Sequence, residues 1–264
     1  MLNAKYQLAI GAALVITAAM TAGVAVAPAA RAASPQLCRY HTARVSGGYV
    51  VQNNEWGSSA AECLTTRAGL AGFTVVRSAI ATRSGAPGGY PSIYAGCHWG
   101  LCATGGLASK PQRVAALMPG RLVSHFAVTE RARPGSAYDV AYDIWVNQSP
   151  RTRGEPNGTE IMVWLGHQGK VRPAGTIVAR NVTIGGRKYD VWHARGRAAG
   201  GTVTYELIRH VTAIGHLDVG RLIQDAVRRR YASPRWYLVS VEAGFEIWRG
   251  GAGLAVTHFG VRVP

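Results

Sequence analysis

Carboxylates are scarce in this chain, 13 against 29 basic residues, so an acidic side chain set among apolar and aromatic neighbours stands out. Three are so placed: Glu160 in Gly158-Thr159-Glu160-Ile161-Met162-Val163-Trp164, Glu246 in Val241-Glu242-Ala243-Gly244-Phe245-Glu246-Ile247-Trp248, and Asp143 in Ala141-Tyr142-Asp143-Ile144-Trp145. Strand alternation puts Glu160, Met162 and Trp164 on one face, a carboxylate beside a thioether and an indole. The same alternation aligns Glu242, Gly244, Glu246 and Trp248, leaving a gap at the glycine where a ligand could approach. Two carboxyl groups flanking a bond, one ionised and one protonated, are what cleavage of a glycosidic bond requires, and indoles are surfaces on which sugar rings stack. The bland reading of each glutamate is a solvated charge on a strand.

Other reactive residue types point elsewhere. His98 and His167 are spaced neither for a metal site nor for a nucleophile triad, so hydrogen bonding is their expected role. Gly250-Gly251-Ala252-Gly253 lacks the following helix that would cradle a phosphate and reads as a turn between strands. Four cysteines allow three pairings. Proximity favours Cys38 with Cys63 and Cys97 with Cys102, and the cysteine spacings do not repeat as zinc ligands do. The first bridge would close a loop worth about 3 kcal/mol by chain entropy; the second would fix a tight local turn.

The elements that must position these groups are mostly strands. Short β-branched and aromatic runs recur between glycines and polar turns: Tyr49 to Gln52, Gly72 to Val76, Tyr138 to Val146, Glu160 to Trp164, Tyr189 to Trp192, Thr202 to Leu207, Trp236 to Val241 and Gly253 to Thr257. One segment predicts a helix, with Asp218 as its cap, Leu222, Ile223, Ala226 and Val227 as its apolar stripe, and Arg228-Arg229-Arg230 at its end. Many short strands with one helix predict a β-sandwich in one domain.

Lys5, the apolar run from Leu8 to Ala27 and Ala30-Arg31-Ala32 together predict a signal peptide over residues 1–32, with the functional domain over 33–264 and a secreted protein. An uncleaved membrane anchor is the alternative, because the run is about the length that spans a bilayer. No later stretch approaches that length, so no stable membrane association is expected after cleavage. The net charge of +16 becomes +14 once Lys5 and Arg31 leave. The arginines are scattered rather than gathered, which predicts a solvated basic surface and no nucleic-acid partner; tethering to anionic wall polymers would fit the same charge.

The motifs have a family likeness. The chain resembles glycoside hydrolase family 12 through Gln52-Asn53-Asn54-Glu55-Trp56-Gly57, Gly89-Tyr90-Pro91-Ser92-Ile93-Tyr94-Ala95-Gly96-Cys97-His98-Trp99-Gly100, the three acidic segments, Gly166-His167-Gln168-Gly169 and Ser233-Pro234-Arg235-Trp236-Tyr237-Leu238. That resemblance implies an all-β jelly roll of two antiparallel sheets, a groove for a β-glucan polysaccharide on the concave sheet, and hydrolysis by double displacement without metal or organic cofactor. It implies Glu160 as nucleophile, Glu246 as acid/base, and Asp143 as a carboxyl hydrogen-bonded to the nucleophile. It further implies Trp56 as a sugar platform with Asn54 beside it, and Met162 beneath the sugar; Trp164, on the same face, is a further contact candidate. The expectation is thus a secreted, monomeric, retaining endo-β-1,4-glucanase. Xyloglucan, mixed-linkage glucan and a wall-binding protein without catalysis are the alternatives. Ile247, where some relatives carry proline or a small residue, and the high positive charge depart from the family pattern.

Overall fold

The computed structural model describes residues 36–82, 85–107 and 110–263. The expected signal segment, 1–32, lies outside these residues. Among the described residues, no helix is long and apolar enough to cross a membrane.

Two sheets form, as the strand-rich sequence predicts. The smaller has six strands in the order Gln36–Cys38, Glu62–Thr66, Phe73–Ser78, Leu254–Arg262, Val123–Glu130, Ala213–Asp218. The larger runs Thr176–Ile184, Arg187–Ala194, Thr202–Leu207, Thr159–Gln168, Ala137–Asn147, Tyr237–Gly244, Ser92–His98, Val50–Gln52, Thr42–Arg44. Alternation divides each strand of the larger sheet between core and outer face. Val140, Tyr142, Ile144 and Val146 enter the core with Ile161, Val163 and Leu165, and with Val241, Ala243, Phe245 and Ile247. The residues between them, including Ala141, Asp143, Met162 and Trp164, therefore turn the other way. Strand Tyr237–Gly244 ends before Phe245, but the phase survives the break: Phe245 and Ile247 are fully buried in the core, and Glu246 stays on the outer face with Trp248.

The expectation of purely antiparallel sheets needs one correction. Thr159–Gln168 and Thr202–Leu207 pair in parallel, with Glu160 opposite Thr202. The intervening chain makes the antiparallel strands Thr176–Ile184 and Arg187–Ala194, which puts Thr202–Leu207 alongside Thr159–Gln168 in the same direction. Strand Thr176–Ile184 escapes prediction because it alternates exposed with half-buried residues at the sheet edge and carries no long apolar run.

Both expected disulfides are present, Cys38–Cys63 and Cys97–Cys102. The first joins two neighbouring strands of the smaller sheet; the second closes the hairpin after Ser92–His98. Helix Val219–Arg228 has its expected cap, the Asp218 carboxylate accepting the Arg221 N–H at 3.0 Å. Leu222, Ile223 and Ala226 are buried on its inner face. Asp225 is buried there too, because its carboxylate accepts from the Tyr205 hydroxyl at 3.0 Å and from Arg228 and Arg229. Tyr205 lies on strand Thr202–Leu207, so its bond to Asp225 ties the helix to the strand that faces Glu160, while the arginine run holds Asp225 in place.

Replacing Asp225 should therefore leave the Tyr205 hydroxyl with only its weaker 3.3 Å bond to the Leu222 carbonyl and remove the buried acceptor of two guanidinium groups. Asp225→Ala is expected to lose about 3 kcal/mol of stability, read from urea unfolding; a loss below about 1 kcal/mol would make the joint a surface ornament.

Candidate active site

The outer face of the larger sheet carries a cavity of about 510 Å³ lined by Asn54, Trp56, Tyr90, His98, Trp99, Asp143, Trp145, Glu155, Glu160 and Glu246. Four elements supply its chemistry. Strand Ala137–Asn147 brings Asp143 and Trp145, strand Thr159–Gln168 brings Glu160, the break after Gly244 brings Glu246, and the 53–57 turn brings Asn54 and Trp56.

Glu160 sits opposite Trp145 on one side and Thr202 on the other. Its amide donates to the Gly201 carbonyl at 3.1 Å, and the Thr202 hydroxyl donates to its Oε2 at 2.6 Å. Burial raises its pKa and the Thr202 bond opposes that rise; Glu242 adds repulsion. Thr202 thus favours the ionised form, the form a nucleophile needs.

Glu246 has the opposite setting. Its amide donates to Asp139 Oδ1 at 2.9 Å, and the Asp139 amide donates back to its carbonyl at 3.0 Å. Burial, then the charge and hydrogen bond of Asp139, then Glu160 and Asp143, push the Glu246 carboxyl well above the usual range. Asp139 itself, fully buried, is pushed up to about 7 by burial. These influences favour the protonated form of Glu246, the state of a general acid.

Asp143 is 6% exposed and lies opposite Met162 and Glu242 in the two neighbouring strands. Burial, Glu160 and Glu242 raise its pKa strongly, against a lowering hydrogen bond from Trp145, so its protonated form is favoured. Its Oδ1 has no hydrogen-bond partner, and no hydrogen bond joins it to Glu160; the Thr202 hydroxyl occupies that role instead. Glu242 is fully buried and accepts from Gln52 Nε2 at 3.0 Å, Ser240 Oγ at 2.8 Å and His98 Nδ1 at 3.0 Å. His98 therefore has the hydrogen-bonding role expected of it, and it also lines the cavity.

The aromatic residues divide into platforms and packing. Trp56 is 51% exposed at the cavity rim, and Asn54, at φ +24°, anchors its turn by accepting the amides of Trp56 and Tyr90 at its carbonyl. Trp99 is 42% exposed and stands at φ +44° in the hairpin closed by Cys97–Cys102, with its ring edge-on to Trp145 at 5.4 Å. That bridge, expected only to fix a turn, thus holds an indole at the cavity. The Trp145 indole N–H is turned toward Asp143, whose carboxyl it draws down against the larger effect of burial. Trp164 is a correction: it is 1% exposed and packs edge-on to Trp248 at 6.1 Å, so it has almost no surface to offer a sugar. Met162, 6% exposed, packs with Ala141 and Trp164 and does not line the cavity. His167 lies in a separate depression of about 320 Å³ with Glu206 and His210.

A family model described as glycosyl hydrolase family 12 matches residues 47–264. The chain belongs to glycosyl hydrolase family 12. Among solved structures, endoglucanase cel12A from Rhodothermus marinus superposes with a TM-score of 0.80 at 34% identity, covering 88% of this chain and 99% of that one. A metagenome-derived family 12 endoglucanase gives 0.80 at 34% over the same shares. By sequence, the probable cellulase Cel12b of Mycobacterium tuberculosis (strain ATCC 25618 / H37Rv) is 32% identical over 48% of this chain and 81% of that protein. A probable xyloglucan-specific endo-beta-1,4-glucanase A of Aspergillus clavatus is 27% identical over 88% and 92%. This family 12 chain is a glycoside hydrolase of the endoglucanase type, and its substrate is a polysaccharide.

Asp139, Thr202 and Glu242 were not singled out as site residues from sequence. Asp139 and Glu242 carry a legible signal, being acids in phase with Asp143 and with Glu246. Thr202 carries none, since it meets Glu160 only through the parallel pairing. Asp139→Asn keeps the acceptor for the Glu246 amide but removes the charge that raises Glu246. The alkaline limb of the activity profile, where Glu246 loses its proton, is expected to move to lower pH, as measured by kcat from pH 5 to 10. Thr202→Val removes the hydroxyl that favours ionised Glu160; the acid limb should move up in pH and kcat should fall roughly 10- to 100-fold, the size of a hydrogen bond to a charge.

Proposed function

We propose that this enzyme is an exported, retaining endo-β-1,4-glucanase, with Glu160 as nucleophile and Glu246 as acid/base. The observation that carries the assignment is the unequal setting of the two carboxyls: a threonine hydroxyl favours ionised Glu160, and Asp139 favours protonated Glu246. An ionised Glu160 oxygen attacks the anomeric carbon while Glu246 gives its proton to the departing glycosidic oxygen, leaving a glycosyl ester on Glu160. Glu246, now a carboxylate, takes a proton from water as the water oxygen attacks the same carbon, and Glu160 departs as a carboxylate. Two inversions retain the configuration. Asp143, protonated beside these groups, avoids adding a second negative charge next to Glu160.

Trp56 and Asn54 at one rim, with Trp99 and Trp145 beside the carboxyls, suit a chain of flat, neutral, hydroxylated rings. The relatives support two polymers, since a probable cellulase and a probable xyloglucan-specific endo-beta-1,4-glucanase both occur among them. Unbranched β-1,4-glucan is the first choice because the solved structures at 34% identity are endoglucanases, whereas the Bacillus licheniformis xyloglucanase is 21% identical and speaks to fold alone.

Purified protein should release reducing ends and lower viscosity on carboxymethyl cellulose or mixed-linkage glucan faster than on xyloglucan. Glu160→Ala and Glu246→Ala should each lose at least about 10³-fold in kcat, and proton NMR of the first product should show the β anomer. An α anomer would refute the double displacement, and full activity in either variant would refute its residue assignment.

A further inference from the structure

Glu62 has no part in the chemistry above, yet its position ties it to the sugar platform. It opens strand Glu62–Thr66, is fully buried, and neither of its carboxyl oxygens has a hydrogen-bond partner. Its carbonyl accepts from Asn53 Nδ2 at 2.9 Å, which places it directly under the 53–57 turn. That turn is pinned by Asn53 N to the His41 carbonyl at 3.2 Å, Tyr90 N to the Asn54 carbonyl at 3.0 Å and Gly57 N to the Gly88 carbonyl at 2.8 Å. Between Asn54 and Trp56, which reach the cavity, stands Glu55, 3% exposed and with Oε2 unpartnered.

The space beneath the turn is closed. A Cβ on Gly89 would lie 3.2 Å from the Asn54 carbonyl oxygen, 3.2 Å from Glu55 Cα and 3.4 Å from Glu62 Oε1. Arg39, through its charge and its amide, together with the amide of Glu62, counters charge on Glu55. Among the described residues Glu62 has no such cation: Ser78 lies opposite it in register, and Arg77 is bonded to Cys63 Sγ. Two little-exposed carboxyls thus lie under one turn, with charge compensation for one among the described residues. Burial pushes Glu62 up to about 8, against the pull of Ser78 and with a smaller repulsion from Glu55, so it holds its proton at neutral pH.

We propose that Glu62 is a positioning residue for sugar binding: protonated, it seats the turn that carries Asn54 and Trp56, and on losing its proton it repels Glu55 and lifts that turn away from the cavity. The proposal rests on the reading of the cavity as a β-glucan site. Its consequence is a loss of substrate grip at alkaline pH that is separate from the loss of Glu246's proton.

The test measures kcat and KM on uncharged mixed-linkage glucan from pH 6 to 9.5 for wild type and Glu62→Gln, with melting curves at pH 6 to confirm folding. Wild-type KM should rise roughly tenfold, about the loss of one stacking platform, while KM of Glu62→Gln stays level and the two kcat profiles coincide. Tryptophan emission, read as the difference between each protein and its Trp56→Phe counterpart, should show a transition near pH 8 in wild type and none in Glu62→Gln. Equal KM rises and equal emission transitions in the two proteins would overturn the proposal. Should Glu62→Gln fail to fold, Glu55→Gln removes the same repulsion and must abolish the KM rise; an unchanged rise overturns the proposal. Should wild type cleave no glucan, the proposed function fails and the emission titration still decides whether Glu62 moves the turn.

Discussion

The chemistry of this molecule depends on crowding acids onto one dry face of a sheet. Asp139, Asp143, Glu160, Glu242 and Glu246 all lie on or beside the outer face of the larger sheet, and three of them are buried outright. Several like charges cannot stand together in so little water. The face must decide which members hold protons, and it decides by hydrogen bonds. Glu242 receives three donors, Glu160 receives a threonine hydroxyl, and Asp143 and Glu246 are left to accept protons from solvent. Acid and nucleophile are therefore properties of the face as a whole, and each carboxyl's role depends on the partners given to the others.

The fold serves that division through local departures from regularity. The single parallel pairing among the described strands puts Thr202 opposite Glu160. The strand break at Phe245 and Glu246 lets the Glu246 amide and carbonyl both bond to Asp139, which an unbroken ladder would have prevented. Left-handed backbone at Asn54 and Trp99 turns two loops toward the cavity, and the Cys97–Cys102 bridge holds the second of them. Regular strands elsewhere supply the rigidity against which these irregularities are set.

How much of this could be read from residues follows from the range of each signal. Strand phase is local, so Glu160, Asp143 and Glu246 were legible on one face, as were the helix cap at Asp218 and the cysteine pairs. The phase also misled at Trp164: alternation gives the face of a side chain but not what covers it, and Trp248 covers this one. Met162 shares that face and is packed away in the same manner. Thr202 was beyond reach because its partner lies 42 residues away across a pairing direction that strand patterns do not encode. Glu62 and Glu55 were passed over because a glutamate in a short polar stretch reads as solvated. Only the closeness of Gly89 to both shows them enclosed.

The charge of the chain takes on meaning once the acids are located. Of the 13 acidic residues only Glu155 is exposed, and it lines the cavity. The rest are buried or half-buried: Glu130, Asp190, Glu206, Asp218 and Asp225 pair with histidine or arginine away from the cavity, and the others gather in and under the catalytic face, so the exposed charge is mostly that of arginine and lysine. A neutral glucan feels little of this separation. A carboxymethylated one is drawn to the surface and repelled at the cleft, two effects that salt screens together within about 10 Å. Rates on charged and uncharged glucans therefore report different parts of this molecule, and a preference measured at low salt on a charged polymer reflects the arginine shell as much as the groove. The uncharged polymer isolates the groove, where stacking and hydrogen bonding rather than net charge must hold the substrate.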